Sequence, residues 1–263
     1  MLKKRLIFTL LYDRGFFMLS RNFRLQKVGD LAWLQKNYNF SRIAFSIDEL
    51  IVLDVSRGER DIGLFCECLK SITEGCFAPI AAGGGIRTLE HARTLLRSGA
   101  DKVVINTPLF DSQALVGELA AEFGQQCVVA SMDVKRSAQG DYQVWADNGS
   151  RCVEGSLAER FDNVSHTTVG ELYLNSMDRD GTGQGYDLNM LEHLPESMPM
   201  PLILAGGAGN FHHLAEGLSE NRVDAVATAH LFNFVGDGLE VSRARLHEKG
   251  FDLAQWEHAS YAD

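Results

Sequence analysis

Several things are missing from this sequence, and each absence removes a class of answer. No apolar run reaches the length that spans a bilayer. The opening Met1-Leu2-Lys3-Lys4-Arg5 passes directly into a strand-like pattern, without the apolar segment and small-residue cleavage site of a secretory leader. Positive charge is in deficit. Against 35 Asp and Glu stand 25 Lys and Arg, and the resulting net charge of −10 has the wrong sign for a general nucleic-acid surface. No Cys-x-x-Cys pair occurs among the five cysteines, Cys66, Cys68, Cys76, Cys127 and Cys152. An odd number in mostly apolar surroundings reads as buried free thiols in a reducing compartment. A cytoplasmic protein is expected, with no membrane or nucleic-acid partner, no cofactor and no metal. His212-His213 does not change this, because adjacent helical residues point to different faces.

What is present is periodicity. With 45% hydrophobic residues, 263 residues can bury one large core or two small ones. Strand-like runs recur at Leu6–Leu11, Glu49–Val55, Ala78–Ala82, Lys102–Ile105, Cys127–Asp133, Glu171–Ser176, Pro201–Ala205 and Ala225–Thr228. Amphipathic segments separate most of them, at Leu31–Tyr38, Ile62–Thr73, Leu89–Ser98, Gln113–Phe123, Leu188–Leu194 and His212–Glu220. Eight apolar strands alternating with helices predict an α/β fold, a (β/α)8 TIM barrel. Asp141–Trp145 and Arg151–Val153 flank Asn148-Gly149, a hairpin signal, and read as an excursion at the barrel mouth. A doubly wound open sheet is the competing architecture, but no Gly-x-Gly-x-x-Gly follows the first strand.

The two halves also resemble each other. Pro79-Ile80-Ala81-Ala82-Gly83-Gly84 matches Leu202-Ile203-Leu204-Ala205-Gly206-Gly207, and Ala100-Asp101-Lys102-Val103 matches Val223-Asp224-Ala225-Val226. Both pairs share an offset of 123 (206 − 83 and 224 − 101), which predicts a single barrel domain with a two-fold half-barrel repeat. The halves fall at about 1–123 and 124–250, followed by a polar C-terminal tail, 251–263. Glycines where a strand meets a helix let backbone N–H groups approach an anion. Gly83, Gly84, Gly85, Asn106 and Thr107 form one candidate phosphate site, and Gly206, Gly207, Ala229 and His230 the other. A ligand phosphorylated at both ends would bridge them. The competing reading is a glycine-rich turn without a ligand, one copy being vestigial.

These motifs together resemble the cyclase subunit of imidazole glycerol phosphate synthase. The likeness runs from Met1 to about Gly250. It is carried by Asp48-Glu49-Leu50, Leu53-Asp54, Gly83-Gly84-Gly85-Ile86, Gly99-Ala100-Asp101-Lys102-Val103, Asp133-Val134-Lys135-Arg136, Ser176-Met177-Asp178-Arg179-Asp180-Gly181-Thr182, Gly185-Tyr186-Asp187 and Gly206-Gly207-Ala208-Gly209. The resemblance implies a barrel that receives ammonia from a glutaminase partner and cyclises a bisphosphorylated ribonucleotide, with two aspartates as acid and base. Asp133 matches one of them. The other falls at Leu11, in Thr9-Leu10-Leu11, and a loop lysine falls at Leu19. Leucine cannot move a proton. Asp13, two residues beyond Leu11, is a candidate substitute. Asp180 and Gly181 would add a phosphate or hydroxyl contact, with a plain turn as the alternative. Asn175 and His230 depart from the family's small hydroxyl residues.

The resemblance further implies a ring of charges closing the barrel bottom as an ammonia gate: Arg5, Glu49, Lys102 and Glu171. A salt-bridge plug is the alternative. Asp101 matches a partner-interface position. Gate residues present alongside a lost acid resemble a paralogous branch in surface-polysaccharide pathways. There the cyclase-like subunit and its glutaminase supply ammonia to a third, ATP-dependent amidotransferase that makes acetamidino sugars. Two functions are therefore expected to compete: an ammonia-channelling subunit with impaired cyclase chemistry, and an authentic cyclase (lyase) of histidine biosynthesis using Asp133.

Overall fold

The computed structural model describes residues 3–38 and 40–255. The polar tail expected at Trp256–Asp263 lies outside them. Twelve strands are present: β1 (Arg5–Asp13), β2 (Phe16–Arg21), β3 (Arg24–Gly29), β4 (Glu49–Asp54), β5 (Ile80–Gly83), β6 (Lys102–Ile105), β7 (Val128–Arg136), β8 (Tyr142–Ala146), β9 (Arg151–Ser156), β10 (Glu171–Ser176), β11 (Leu202–Ala205) and β12 (Ala225–Thr228). Eight of them pair in parallel in the order β1-β4-β5-β6-β7-β10-β11-β12, and β12 pairs back onto β1. The sheet closes on itself as a (β/α)8 barrel. The eight expected strands are these eight, each within two residues at its start and three at its end.

Alternation along each strand builds two apolar layers. Leu6, Phe8 and Leu10 of β1 face outward into the large core beneath the helices. Ile7 faces the bore, where it meets Ile51, Ala81, Val129, Ile203 and Ala225. The helices are fixed by side-chain caps: Asp61 accepts from Leu64 N, Thr88 from His91 N, and Asn210 from both His212 N and His213 N. Helices Ile62–Thr73 and Gln113–Phe123 span the segments expected of them, whereas Leu188–His193 is 3₁₀.

Several elements went unanticipated, among them helix Gly238–Glu248 and the short helices Phe40–Ile43 and Pro108–Asp111. Helix Leu157–Ser165 opens on a capping box, Ser156 with Glu159, immediately after β9. The antiparallel hairpin β2–β3 continues directly from β1 and stands over the mouth. The second hairpin, β8–β9, extends β7 at the same end, as its turn residues predict.

Three aspartates stitch the opposite end. The Asp48 carboxylate accepts from Leu6 N at 2.7 Å, Asp101 from Ile80 N at 2.8 Å and Asp224 from Leu202 N at 2.9 Å. Under the 123-residue offset the partner of Leu202 would be Pro79, which has no N–H, and Asp101 takes the next amide instead. Of the five cysteines, four are buried and Cys152, on β9, is exposed. Among the described residues no helix is long and apolar enough to cross a membrane, and no three His, Cys, Asp or Glu side chains converge as a metal site would require.

Candidate functional site

The C-terminal ends of the barrel strands surround a cavity open to solvent. This is the face on which barrel enzymes carry their chemistry. Its lining includes the predicted Gly84, Gly85, Asn106, Thr107, Asp133, Asp180, Gly181, Gly206, Gly207, Ala229 and His230, and Leu11 as well. Gly83 is not part of that lining. It is the buried last residue of β5, where a Cβ would strike Val104 of the neighbouring strand.

Asp133, on β7, is the cavity carboxylate whose chemistry is strongly altered. Its carboxylate is half-buried and accepts from two amides, Asn175 Nδ2 at 2.9 Å and Asn106 Nδ2 at 3.2 Å. Burial pushes its pKa up to about 7, against the opposing hydrogen bond from Asn175. That value suits a group that both takes and returns a proton near neutrality. Leu11 lines the same cavity and brings no titratable group to it. Asp13 does not stand in for it. Its carboxylate is paired with Arg14 Nε at 2.9 Å, which holds its pKa below the usual range, and it does not line the cavity. Leu19 packs against the outer core from β2, paired with Gln26, and likewise stays out of the lining.

The glycine turns have a structural explanation of their own. Gly84 and Gly207 both have positive φ, and a Cβ at either would overlap a backbone carbonyl, that of Asp54 or of Gly185. Packing therefore demands glycine at both positions with or without a ligand. The charge around the two turns is unequal. Arg57, Arg60 and Arg87 line the cavity beside Gly84 and Gly85. Across the mouth the described lining holds His230, half-buried, with its pKa lowered by desolvation and Nδ1 accepting from Asn233 N at 3.3 Å, while Arg179 packs against Gly207 from outside that lining. None of the three arginines was singled out from sequence.

Hairpin β2–β3 roofs the cavity with Ser20, Phe23 and Leu25. Its turn residues Asn22 and Phe23 both adopt positive φ. The turn is pinned from three directions. Asp180 accepts from Ser20 Oγ and from Phe23 N at 3.0 Å, Asn22 Nδ2 donates to Asp178 O at 2.7 Å, and Arg57 donates to Phe23 O at 2.7 Å. Asp180, predicted as a ligand contact, thus spends its buried carboxylate on the roof.

At the other end of the bore the four predicted charges form a closed ring. Arg5 reaches Glu49 at 3.2 Å and Glu171 at 2.8 Å, and Lys102 reaches the same two carboxylates at 2.9 and 2.7 Å. Each cation serves both anions. Burial raises the pKa of Glu49, whereas at Glu171 the bonds from Arg5 and Lys102 outweigh desolvation and lower it. Glu49 Oε1 is buried without a hydrogen-bond partner among the described residues, a spare acceptor at this constriction. Asp101 is exposed at the same end, its carboxylate used by the Ile80 amide.

Comparison with known proteins gives a consistent answer. Residues 25–236 match the family described as "Histidine biosynthesis protein". A protein of Parasynechococcus marenigrum (strain WH8102), provisionally named imidazole glycerol phosphate synthase subunit hisF2, is 48% identical over 258 residues, covering 97% of this chain and 95% of that one. Imidazole glycerol phosphate synthase subunit HisF of Alkaliphilus metalliredigens (strain QYMF) is 34% identical over 254 residues, covering 96% and 99%.

Proposed function

Since the chain belongs to the cyclase-subunit family of imidazole glycerol phosphate synthase, we propose that it is a cytoplasmic subunit that accepts ammonia from a glutaminase partner at the charged ring and passes it through the bore, with cyclase chemistry impaired. The observation that carries this reading is the contrast between the two ends of one barrel. The ring of Arg5, Glu49, Lys102 and Glu171 is complete. The mouth has Leu11 where the family's second acid–base carboxylate belongs, and Asp13, the nearest candidate replacement, is engaged by Arg14.

A phosphorylated small molecule is the proposed occupant of the mouth, with its anionic end toward Arg57, Arg60 and Arg87. The ammonia would serve amidation of a surface-polysaccharide sugar by a third, ATP-dependent amidotransferase. The alternative, an authentic cyclase of histidine biosynthesis, draws its support from Asp133 and its pKa of about 7. Coupling in the complex tests the channelling reading. In a reconstituted complex with a glutaminase subunit, Arg5→Ala should let glutamine hydrolysis continue while amidated product falls severalfold. Product formation that stays in step with hydrolysis would remove the case for the gate.

A further inference from the structure

Between the charged ring and the mouth, the bore is lined by Ile7, Ile51, Ala81, Val129, Ile203 and Ala225. Among the described residues one side-chain hydrogen bond crosses this lining, next to Ser131, the partner of Tyr173 on β7. Tyr173 on β10 and Thr9 on β1 point inward from strands three places apart in the barrel, and their hydroxyls meet across the bore at 3.4 Å. Both residues also line the mouth cavity, so the pair forms its floor. Along β10 the inward positions run Glu171, Tyr173, Asn175, which is ring, floor and Asp133 contact in turn.

The pair is underused. At 3.4 Å the hydrogen bond is long, and among the described residues each hydroxyl has no other partner. Two nearly buried hydroxyls, 5% and 1% exposed, with spare donor and acceptor capacity are unusual in an apolar bore. Nothing in the packing requires the polar atoms, since Phe and Val would fill the same shapes.

Resting on the ammonia passage proposed above, we propose that the Tyr173 and Thr9 hydroxyls form a binding station for one molecule of uncharged ammonia at the floor of the mouth. The phenol O–H donates to the ammonia nitrogen lone pair, and an ammonia N–H donates to Thr9 Oγ1. Neutral ammonia is the form that crosses the aliphatic lining below, which supplies no carboxylate to offset an ammonium ion's desolvation, whereas above the station Asp133 and Asp180 act on Tyr173. Burial pushes the Tyr173 pKa upward, so the phenol keeps the proton it must donate. Water has the same size but a less basic lone pair, so ammonia is the better acceptor.

The test needs no partner protein. In the chain labelled with ¹³Cζ-tyrosine, with the Tyr173 resonance assigned by its loss in Tyr173→Phe, ammonium chloride is titrated in alkaline buffer. The Tyr173 signal should shift and saturate, and potassium chloride at matched ionic strength should leave it in place. Thr9→Val, which keeps its volume, should weaken the apparent affinity by roughly three- to tenfold, the value of one hydrogen bond. No shift, a shift shared with potassium chloride, or unchanged affinity in Thr9→Val would overturn the station. Failure of the passage itself is read separately. An Arg5→Ala complex that stays coupled rejects the passage whatever Tyr173 does, whereas an uncoupled Arg5→Ala complex with a silent Tyr173 rejects the station alone.

Discussion

Asp133 illustrates how a carboxylate is tuned when its expected partner is absent. Half-buried, it is held by two neutral amides, Asn106 and Asn175, and among the described residues no cation pairs with it to stabilise the charged form. The sign of the resulting pH dependence follows. The folded chain holds this proton up to about 7, whereas an unfolded Asp releases it near 4. Between those values the native state binds more protons, so stability falls as pH rises through the window. Asp133→Asn removes the titration. Its melting temperature should therefore gain on the wild type as pH rises from 5 to 8, and parallel curves would contradict the assignment. At this scale the sequence was legible where a side chain acts alone. Asp133, Leu11 and the four ring charges could be named by matching them to the family's positions. Arg57, Arg60 and Arg87 could not, because they reach the mouth from loops whose course no periodicity encodes. Tyr173 was hidden in an ordinary strand pattern, where an inward tyrosine looks like any apolar core residue.

Hairpin β2–β3 shows the same limit at the scale of an element. A two-residue turn with both φ positive is usually announced by Asn-Gly. Here the turn is Asn22-Phe23, and phenylalanine rarely adopts that conformation. Distant groups hold it there: Asp180 on its N–H and Arg57 on its carbonyl. Tertiary contacts override a local preference that argued against a turn. Hairpin β8–β9, with Asn148-Gly149, was visible for the opposite reason. Gly181 lies at φ +65°, and a Cβ there would overlap the Ser20 carbonyl. Gly181→Ala should detach the roof, costing about 1–3 kcal/mol and exposing residues 20–24 to limited proteolysis. A variant as stable and as protease-resistant as the wild type would show that the roof does not rest on this contact.

For the whole molecule, closure of the barrel places a charged ring at one end of a bore and a cavity at the other. The ring is a stability commitment as well as a candidate gate. Lys102→Met leaves Glu49 and Glu171, 3% and 13% exposed, sharing only Arg5. Denaturant unfolding should register a loss of about 3 kcal/mol, typical of breaking a buried pair on one side. Adding Glu49→Gln should recover part of it, since the removed charges compensated each other. Equal losses in the single and double variants would mean that the ring is not energetically coupled.

The barrel itself was the most legible feature, because eight apolar runs at regular spacing leave few ways to close. Whether it still performs cyclase chemistry turns on Leu11. The direct measurement is turnover of the purified chain, wild type and Leu11→Asp, with ammonium and the bisphosphorylated ribonucleotide. Negligible turnover is expected for the wild type and a gain of about 10²- to 10⁴-fold in Leu11→Asp, the range of one general acid or base. Wild-type turnover at ordinary enzyme rates, about 1 s⁻¹ or more, would contradict that expectation.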